Sequence, residues 1–464
     1  MADSAASVPS HVIDFLRDLL GSQAWSKVEI MEAKSAQQQV WILSHLQTTS
    51  AGQESLTQEW QEALTLGSNH LVIRQWKASS CWWNLNRNQQ NNSHRSAVES
   101  LELLAKSEVA GYRIARQALF TKIHIPAVLH FSHDNRLPKK KDSETNPWAI
   151  FSYVGPNCTL FHETWMHDET WMDGMVKSRF EFGFEEPHPR WGRVPEHQCL
   201  GYALSVLHQV VIPLHQYMRD HRPWIAPFTD SLRSSPSVAT TTNDWEEEGI
   251  TYKSMVDVYQ KELECKPASS NNPQLKEAVH TLGKAIQWLK QQDLYLQKPT
   301  ELFVLCHMDC QPQNLIFATT TTPAMPTRNK EPNTMIHAMS LPQVSSVLDW
   351  EEAAMADARF ELLMLCRKVC ANRDQAEQLW GAYKVGLPQA QLGSLAPWLA
   401  LETVHSLTSL LLQSMDLLGG GRNPWESEPD LWGKIEREMC RLGLECGDFG
   451  VVDISQGFND DCNT

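Results

Sequence analysis

The chain has 464 residues, of which 42% are hydrophobic and 20% are charged, and its formal net charge at pH 7 is −15. This apolar content suffices for a sizeable core and excludes a wholly disordered chain. An acidic protein repels the phosphate backbone, so we expect no general binding of nucleic acid. No run approaches the ~20 apolar residues of a membrane-spanning helix, so we expect no membrane partner either.

The number and spacing of the cysteines indicate the redox state of the cellular compartment. There are 11, an odd number scattered over a long chain, which disfavours a disulfide framework and favours reduced thiols. The first ten residues contain neither a basic run nor an apolar core, so no secretory signal is visible. We therefore expect a cytoplasmic protein, and the sequence leaves its oligomeric state open.

The first third of the chain is predicted to consist mostly of strands, with one long helix. Apolar residues at helical spacing indicate a short amphipathic helix over 12–20 and a long helix over 97–120. The apolar stripe of the long helix comprises Val98, Leu101, Ala105, Val109, Tyr112 and Leu119. Strands are predicted over 38–46, 69–77, 125–131 and 148–154, and a polar loop over 132–147.

After residue 155 the pattern becomes mainly helical. Helices are predicted over 199–219, 252–264 and 274–291, and from 360 to 444, with a kink at Pro213. Short strands are predicted over 303–305, 315–317 and 344–348, and insertions over 161–191 and 319–342. The chain is thus predicted to be α+β and bilobed, with a β-rich lobe over 1–155, a mostly helical lobe over 156–455, and a tail over 456–464.

The strongest chemical signal lies around residue 310. Asp309 and Asn314 stand five residues apart in His307-Met308-Asp309-Cys310-Gln311-Pro312-Gln313-Asn314, just before an apolar strand. Asp349 follows another apolar strand. A carboxylate can accept a proton from a hydroxyl, and carboxylate and amide oxygens ligate hard cations. These are the groups that phosphoryl transfer requires, although a loop held by Asx turns would have a similar sequence.

These segments resemble a known family. Residues 307–314 resemble the H-x-D-x-x-P-x-N catalytic loop of the aminoglycoside phosphotransferase and choline kinase superfamily, and Asp349-Trp350-Glu351 resembles its D-W-E motif. The following stretch, 356–362, is similar to the family's next segment, in which we expect Asp357 and Glu361 to orient or cap a helix. The resemblance implies a protein-kinase-like fold and transfer of the γ-phosphoryl group of ATP, with Mg²⁺, to a hydroxyl of a small molecule.

The resemblance also implies roles for single residues. Asp309 would be the catalytic base, His307 a support for its loop, and Asn314 and Asp349 the magnesium ligands. On the nucleotide side, Arg74 aligns with the family's phosphate-binding lysine and Glu108 with the acid that pairs with it. The adenine would lie near three residues: Val72 on the same strand, and Phe151 and Tyr153 in the hinge, whose main chain pairs with the base. The alternatives are an edge-strand surface charge for Arg74, a solvated helix face for Glu108, and an ordinary buried strand for 151–154.

Other functions stay open at this point. The loop over 34–41 has no glycine, so its backbone cannot approach phosphates as a glycine-rich hairpin does. This favours, as the second hypothesis, an inactive pseudokinase that serves as a binding module. A protein kinase is disfavoured by D-W-E in place of D-F-G. Seven acids and several aromatic residues between 163 and 191 would suit a cationic substrate, although an ordinary solvated loop or a partner-docking surface has the same composition.

Overall fold

The computed structural model describes 19 stretches of the chain: 8–21, 28–33, 38–46, 56–66, 69–76, 97–119, 123–133, 146–154, 158–160, 196–221, 250–265, 273–297, 303–310, 314–318, 342–350, 353–370, 372–388, 392–419 and 431–446. Four predicted segments lie wholly or mostly outside these residues: the polar loop (134–145), the two insertions (161–191 and 319–341) and part of the glycine-free loop (34–37).

The described strands are β1 (Glu29–Ala33), β2 (Gln38–Ser44), β3 (Leu71–Trp76), β4 (Val128–Phe131), β5 (Trp148–Ser152), β6 (Cys158–Leu160), β7 (Phe303–Cys306), β8 (Leu315–Ala318), β9 (Val344–Val347) and β10 (Ala354–Asp357). The described helices are α1 (Ser10–Leu20), α2 (Gln58–Leu66), α3 (Ala97–Leu119), α4 (Glu196–Val206), α5 (Ile212–Asp220), α6 (Tyr252–Cys265), α7 (Pro273–Lys290), α8 (Asp293–Leu296), α9 (Ala358–Lys368), α10 (Arg373–Gly386), α11 (Ala396–Gly419) and α12 (Leu431–Cys446). The predicted α+β class is confirmed, because the described residues before 155 form a five-stranded antiparallel sheet together with three helices, and helices dominate after residue 155.

The chain divides into two compact units. One comprises 1–164, 208–239 and 307–354, and the other comprises 165–207, 240–306 and 355–464. In the second unit, β7 pairs with β10, and α11 packs against α12 and α7. The first unit contains the larger sheet, α3 and every residue proposed above for the site. The predicted lobe boundaries stay a prediction.

A five-stranded antiparallel sheet, in the order β1-β2-β3-β5-β4, forms the centre of the first unit. Successive side chains of β3 point to opposite faces. Leu71 and Ile73 join an apolar cluster with α1 and α2, whereas Arg74 and Trp76 point to the other face and contact Glu108 of α3. The sheet therefore separates an apolar core from the face that carries Arg74.

A second sheet, in the order β6-β8-β9, brings two motifs together. In the antiparallel pair β8/β9, Leu315 lies opposite Val347. The residue before β8 is Asn314, and the residues after β9 are Leu348 and Asp349. Antiparallel pairing places the start of one strand beside the end of its neighbour, so the pair sets Asn314 next to Asp349.

Several predictions of local structure need correction. The strands β1, β6 and β10 and the helices α2 and α8 were not predicted from the sequence. Because of α2, the first third contains more helix than predicted. The helix predicted over 199–219 with a kink at Pro213 is instead two α-helices separated by a π-helical segment, Leu207–Val211. Pro213 lies two residues after the π-helical segment, so the departure from α-helical geometry falls in the turn that a residue without an N–H disrupts. Within the described stretches, no helix has the length and apolar character needed to cross a bilayer.

Candidate active site

The loop before β8 is closed by Asn314. The Asn314 side chain donates from Nδ2 to Asp309 Oδ2 at 2.7 Å and to the Asp309 carbonyl oxygen at 3.0 Å. Asn314 is buried, and Asp309 is partly exposed. Because Nδ2 makes both hydrogen bonds, Oδ1 is the Asn314 atom with the chemistry to ligate a cation. The same contacts fix the Asp309 carboxylate.

His307 joins this loop to the end of β9. Its Nε2 lies 2.7 Å from the Leu348 carbonyl oxygen, and its Nδ1 accepts a hydrogen bond from the Asp309 N–H at 3.2 Å. These partners assign the proton of a neutral ring to Nε2. The buried ring also packs against Trp350, with centroids 4.5 Å apart. His307 therefore links the loop 307–310 to the end of β9, and its role in catalysis stays a prediction.

Asp349 has a left-handed backbone conformation, with φ +60°. Its N–H donates to the Tyr112 hydroxyl at 2.9 Å, and the preceding Leu348 N–H donates to the Asn314 carbonyl oxygen at 2.8 Å. Its Oδ1 lies 2.9 Å from Arg74 Nη2. The Asp349 side chain is 32% exposed, so its carboxylate is held at one oxygen and still reaches solvent.

Arg74 pairs with two acids. Its Nη1 contacts Glu108 Oε1, and its Nη2 contacts Asp349. The Glu108 side chain is 0% exposed, and its Oε2 accepts a hydrogen bond from Trp76 Nε1 at 2.8 Å. A buried carboxylate needs such partners. The two alternatives drawn from the sequence are therefore wrong, since Glu108 is not on a solvated face and Arg74 lies on a central strand.

The adenine-side candidates separate in the structure. Phe151 pairs with Val72 on one side and Val128 on the other, so it lies inside the sheet, and its buried ring packs against Tyr112 at 4.9 Å. Val72 is partly exposed on β3. Tyr153 comes one residue after the last sheet pair, and its ring stacks on His70 at 5.1 Å. Phe151 therefore lies inside the sheet and Tyr153 lies just beyond it, and their roles toward adenine stay a prediction.

Tyr112 contacts Asp349 through its hydroxyl, although the sequence pattern places it only in the apolar stripe of α3. Burial raises the pKa of the Tyr112 phenol, opposed by the Arg74 charge nearby, so Tyr112 stays neutral at physiological pH. The one signal in the sequence is its position one turn after Glu108, on the same face of the helix.

Asp357 has the structural role that we expected for it. It is the N-cap of α9: its Oδ1 accepts the Arg359 N–H at 3.0 Å, and its Oδ2 accepts from the Arg359 guanidinium at 2.6 Å. Asp357, Arg359 and Glu361 are all buried. These residues lie in the second unit and stabilise the start of a helix.

The donor set suits Mg²⁺ bound together with phosphates. Among the residues that the structure describes, no group of three or more His, Cys, Asp or Glu side chains is arranged to hold a metal ion. Asp349 supplies one carboxylate and Asn314 supplies one amide, and the two residues lie at adjacent ends of the paired strands β9 and β8. Magnesium usually binds one or two carboxylates and takes its other ligands from substrate phosphates and water. The residues present fit that pattern.

No protein-family model matches the chain, and no curated protein matches it either. Among solved structures, it is similar to a candidate aminoglycoside phosphotransferase from Ralstonia eutropha JMP134, at 9% identity and a TM-score of 0.48, with 94% of this chain and 98% of that chain covered. It is also similar to a choline/ethanolamine kinase family protein from Mesorhizobium loti, at 14% identity, a TM-score of 0.37, and 94% and 96% coverage. A third is a thermostable mutant of the aminoglycoside phosphotransferase APH(4)-Ia in ternary complex with ADP and hygromycin B, at 11% identity, a TM-score of 0.38, and 92% and 97% coverage.

Proposed function

We propose that this protein is an ATP- and Mg²⁺-dependent phosphotransferase that acts on a hydroxyl group of a small molecule. One observation carries the proposal: the Asp309–Asn314 loop lies hydrogen-bonded to the strand end that carries Asp349, and Asp349 in turn pairs with the Arg74–Glu108 ion pair. A base, two oxygen ligands and an anchored cation thus meet in one unit of the chain.

Asp309 is proposed as the base. Its carboxylate is partly exposed, which lets a substrate hydroxyl approach. Asn314 holds one carboxylate oxygen, and His307 holds the Asp309 main chain. A carboxylate fixed in this way accepts the proton of the hydroxyl as its oxygen attacks the phosphoryl group.

Arg74 is proposed to bind phosphate oxygens of the nucleotide. A guanidinium is planar and presents several N–H donors, so it can hold its acid partners and a phosphate together. Glu108 and Trp76 fix it from the buried side. Mg²⁺ bound with the nucleotide would neutralise charge on the phosphates, and Asp349 and Asn314 are the residues that would hold it.

A cationic acceptor is the finer part of the proposal. It depends on the acidic and aromatic segment 163–191, which lies outside the described residues, and on the net charge of −15. Such a charge concentrates cations near the protein, within a Debye length of about 8 Å at physiological ionic strength. The affinity for a cationic acceptor should therefore weaken as salt rises. An affinity that salt does not change would remove this part and leave phosphotransfer standing.

The test combines binding with turnover. Thermal stabilisation by ADP should depend on Mg²⁺, and a screen of alcohols and amino alcohols for ADP release from ATP should reveal the acceptor. Asp309→Asn should slow transfer by about 10²- to 10⁴-fold and leave ADP binding nearly unchanged. The matched control is Asp14→Asn, on the exposed face of α1. Wild-type turnover in Asp309→Asn with a verified acceptor would remove Asp309 from the mechanism.

A second candidate function, nucleotide binding without transfer, is favoured by one contact. Arg74 already pairs with both Glu108 and Asp349, and Arg74–Asp349 pairing competes with metal binding at the same carboxylate. A binding module of this kind would bind ADP equally well with Mg²⁺ and with EDTA, and would release no ADP with any acceptor. Stabilisation that requires Mg²⁺ would exclude it.

A further inference from the structure

Helix α3 contacts the described residues after β9 through Ser107, Gly111 and Tyr112. Ser107 Oγ donates to the Ala353 carbonyl oxygen at 2.8 Å. Gly111 lies so close that a Cβ atom there would be 3.0 Å from the Ala353 Cβ and 3.2 Å from the Trp350 Cβ. Tyr112 accepts the Asp349 N–H at 2.9 Å. One helix therefore holds both ends of the segment 349–353.

The Tyr112 contact is made with Asp349, the residue of that segment that has a left-handed backbone conformation. Asp349 lies beyond the end of β9, and a non-glycine residue with φ +60° persists only where the surroundings hold it. At Asp349, Tyr112 holds the backbone and Arg74 holds the carboxylate. The two contacts together decide where the carboxylate points.

The tyrosine ring is itself fixed. It is 5% exposed and packs against Phe151 at 4.9 Å and Trp350 at 6.3 Å between ring centroids. A phenylalanine would keep these ring contacts, leave the Asp349 N–H without its acceptor and remove the contact between the hydroxyl and Arg74. Tyr112→Phe is therefore a change confined to one oxygen atom.

We infer that Tyr112 is a positioning residue: its hydroxyl keeps Asp349 in the left-handed conformation that directs the carboxylate to the metal–nucleotide site. The consequence for the metal rests on the function proposed above. The consequence for the backbone of Asp349 does not, so the two can be measured separately.

The experiment compares Tyr112→Phe with wild type and with Tyr252→Phe, which removes another buried hydroxyl, at 3.4 Å from the Leu289 carbonyl oxygen on α7. Amide hydrogen exchange is followed in a peptide that covers 344–353. The affinity for Mg²⁺ in the presence of ADP, the affinity for ADP in EDTA and the melting temperature are measured on the same proteins. Asp349→Ala is the reference for loss of the metal ligand.

Tyr112→Phe should speed exchange in the peptide and weaken Mg²⁺ binding by about 10-fold, as the loss of a residue that orients a metal ligand typically does. ADP affinity in EDTA should change less than about twofold, and Tyr252→Phe should change neither exchange in this peptide nor Mg²⁺ affinity. Unchanged exchange would overturn the inference, as would an equal loss of ADP affinity with and without metal. If wild type and Asp349→Ala bind Mg²⁺ and ADP alike, the proposed function fails, and exchange alone then decides whether Tyr112 holds Asp349.

Discussion

Replacing Arg74 by methionine should destabilise the protein chiefly through Glu108. Glu108 is 0% exposed and Arg74 is 14% exposed, so the substitution leaves a carboxylate in the interior without its cation. Removing one partner of a buried ion pair typically lowers the free energy of unfolding by about 3 to 5 kcal/mol. The hydrogen bond from Trp76 Nε1 to Glu108 remains, so we expect the lower end, about 3 kcal/mol.

The measurement is the melting temperature of Arg74→Met, of Arg74→Met combined with Glu108→Gln, and of a control, Arg17→Met. In a compact unit of this size, each kcal/mol shifts the midpoint by about 2 to 4 °C, so Arg74→Met should melt about 6 to 12 °C lower than wild type. Glu108→Gln removes the buried charge and should restore at least half of that loss. Arg17 pairs with Asp14 on the exposed face of α1 at 3.7 Å, so its substitution should change stability by less than about 0.5 kcal/mol.

Two results would refute this reasoning. If Arg74→Met melts within 1 or 2 degrees of Arg17→Met, about the change expected of a surface substitution, Glu108 tolerates burial without Arg74. If the double variant melts as low as Arg74→Met alone, the lost stability comes from the Arg74 side chain or from Asp349, and not from an unpaired Glu108.

The other predictions concern packing, pH and metal. Gly111→Ala should lower the free energy of unfolding by about 1 to 3 kcal/mol because of the contacts that its Cβ would make. Gly381→Ala on α10, where a Cβ meets nothing within 4 Å, should instead raise the free energy of unfolding by about 0.5 to 1 kcal/mol. Equal shifts in the two variants would contradict close packing at α3. Burial lowers the pKa of His215 to about 3, so the unfolded chain binds the extra proton and stability falls as pH drops from 6.5 towards 3, by up to about 1.4 kcal/mol per pH unit. His215→Gln should flatten the dependence of the melting temperature on pH over that range, and an unchanged slope would show that other groups dominate. Asn314→Ala should weaken Mg²⁺ binding less than Asp349→Ala does, since a neutral amide attracts a cation less than a carboxylate. Asn314→Ala should also slow transfer, because Asn314 holds Asp309. Isothermal titration of each variant with Mg²⁺ and ADP checks the first effect, and an ADP-release assay checks the second.

Local patterns in the sequence determined much of this protein. The apolar stripe of α3, from Leu101 to Leu119, needs only helical periodicity to be recognised, and the helix is observed over Ala97–Leu119. The alternation in β3 likewise predicts that Arg74 and Trp76 share a face. Both patterns are visible because burial of one face repeats with the period of the element. The short elements β1 and α2 carry too few turns or alternations for that signal, and they were missed.

The assembly of the site was decided by the tertiary structure. Arg74 and Asp349 are 275 positions apart in the chain, and no local pattern states that they pair. The antiparallel register of β8 and β9 sets Asn314 beside Asp349, and the packing of α3 brings the Tyr112 hydroxyl to the Asp349 N–H. In the sequence Tyr112 is one more residue of an apolar stripe, because periodicity reports which face is buried and not what a buried polar atom touches. Hydrogen-bond partners are set by the three-dimensional path of the backbone, and only the folded chain defines that path.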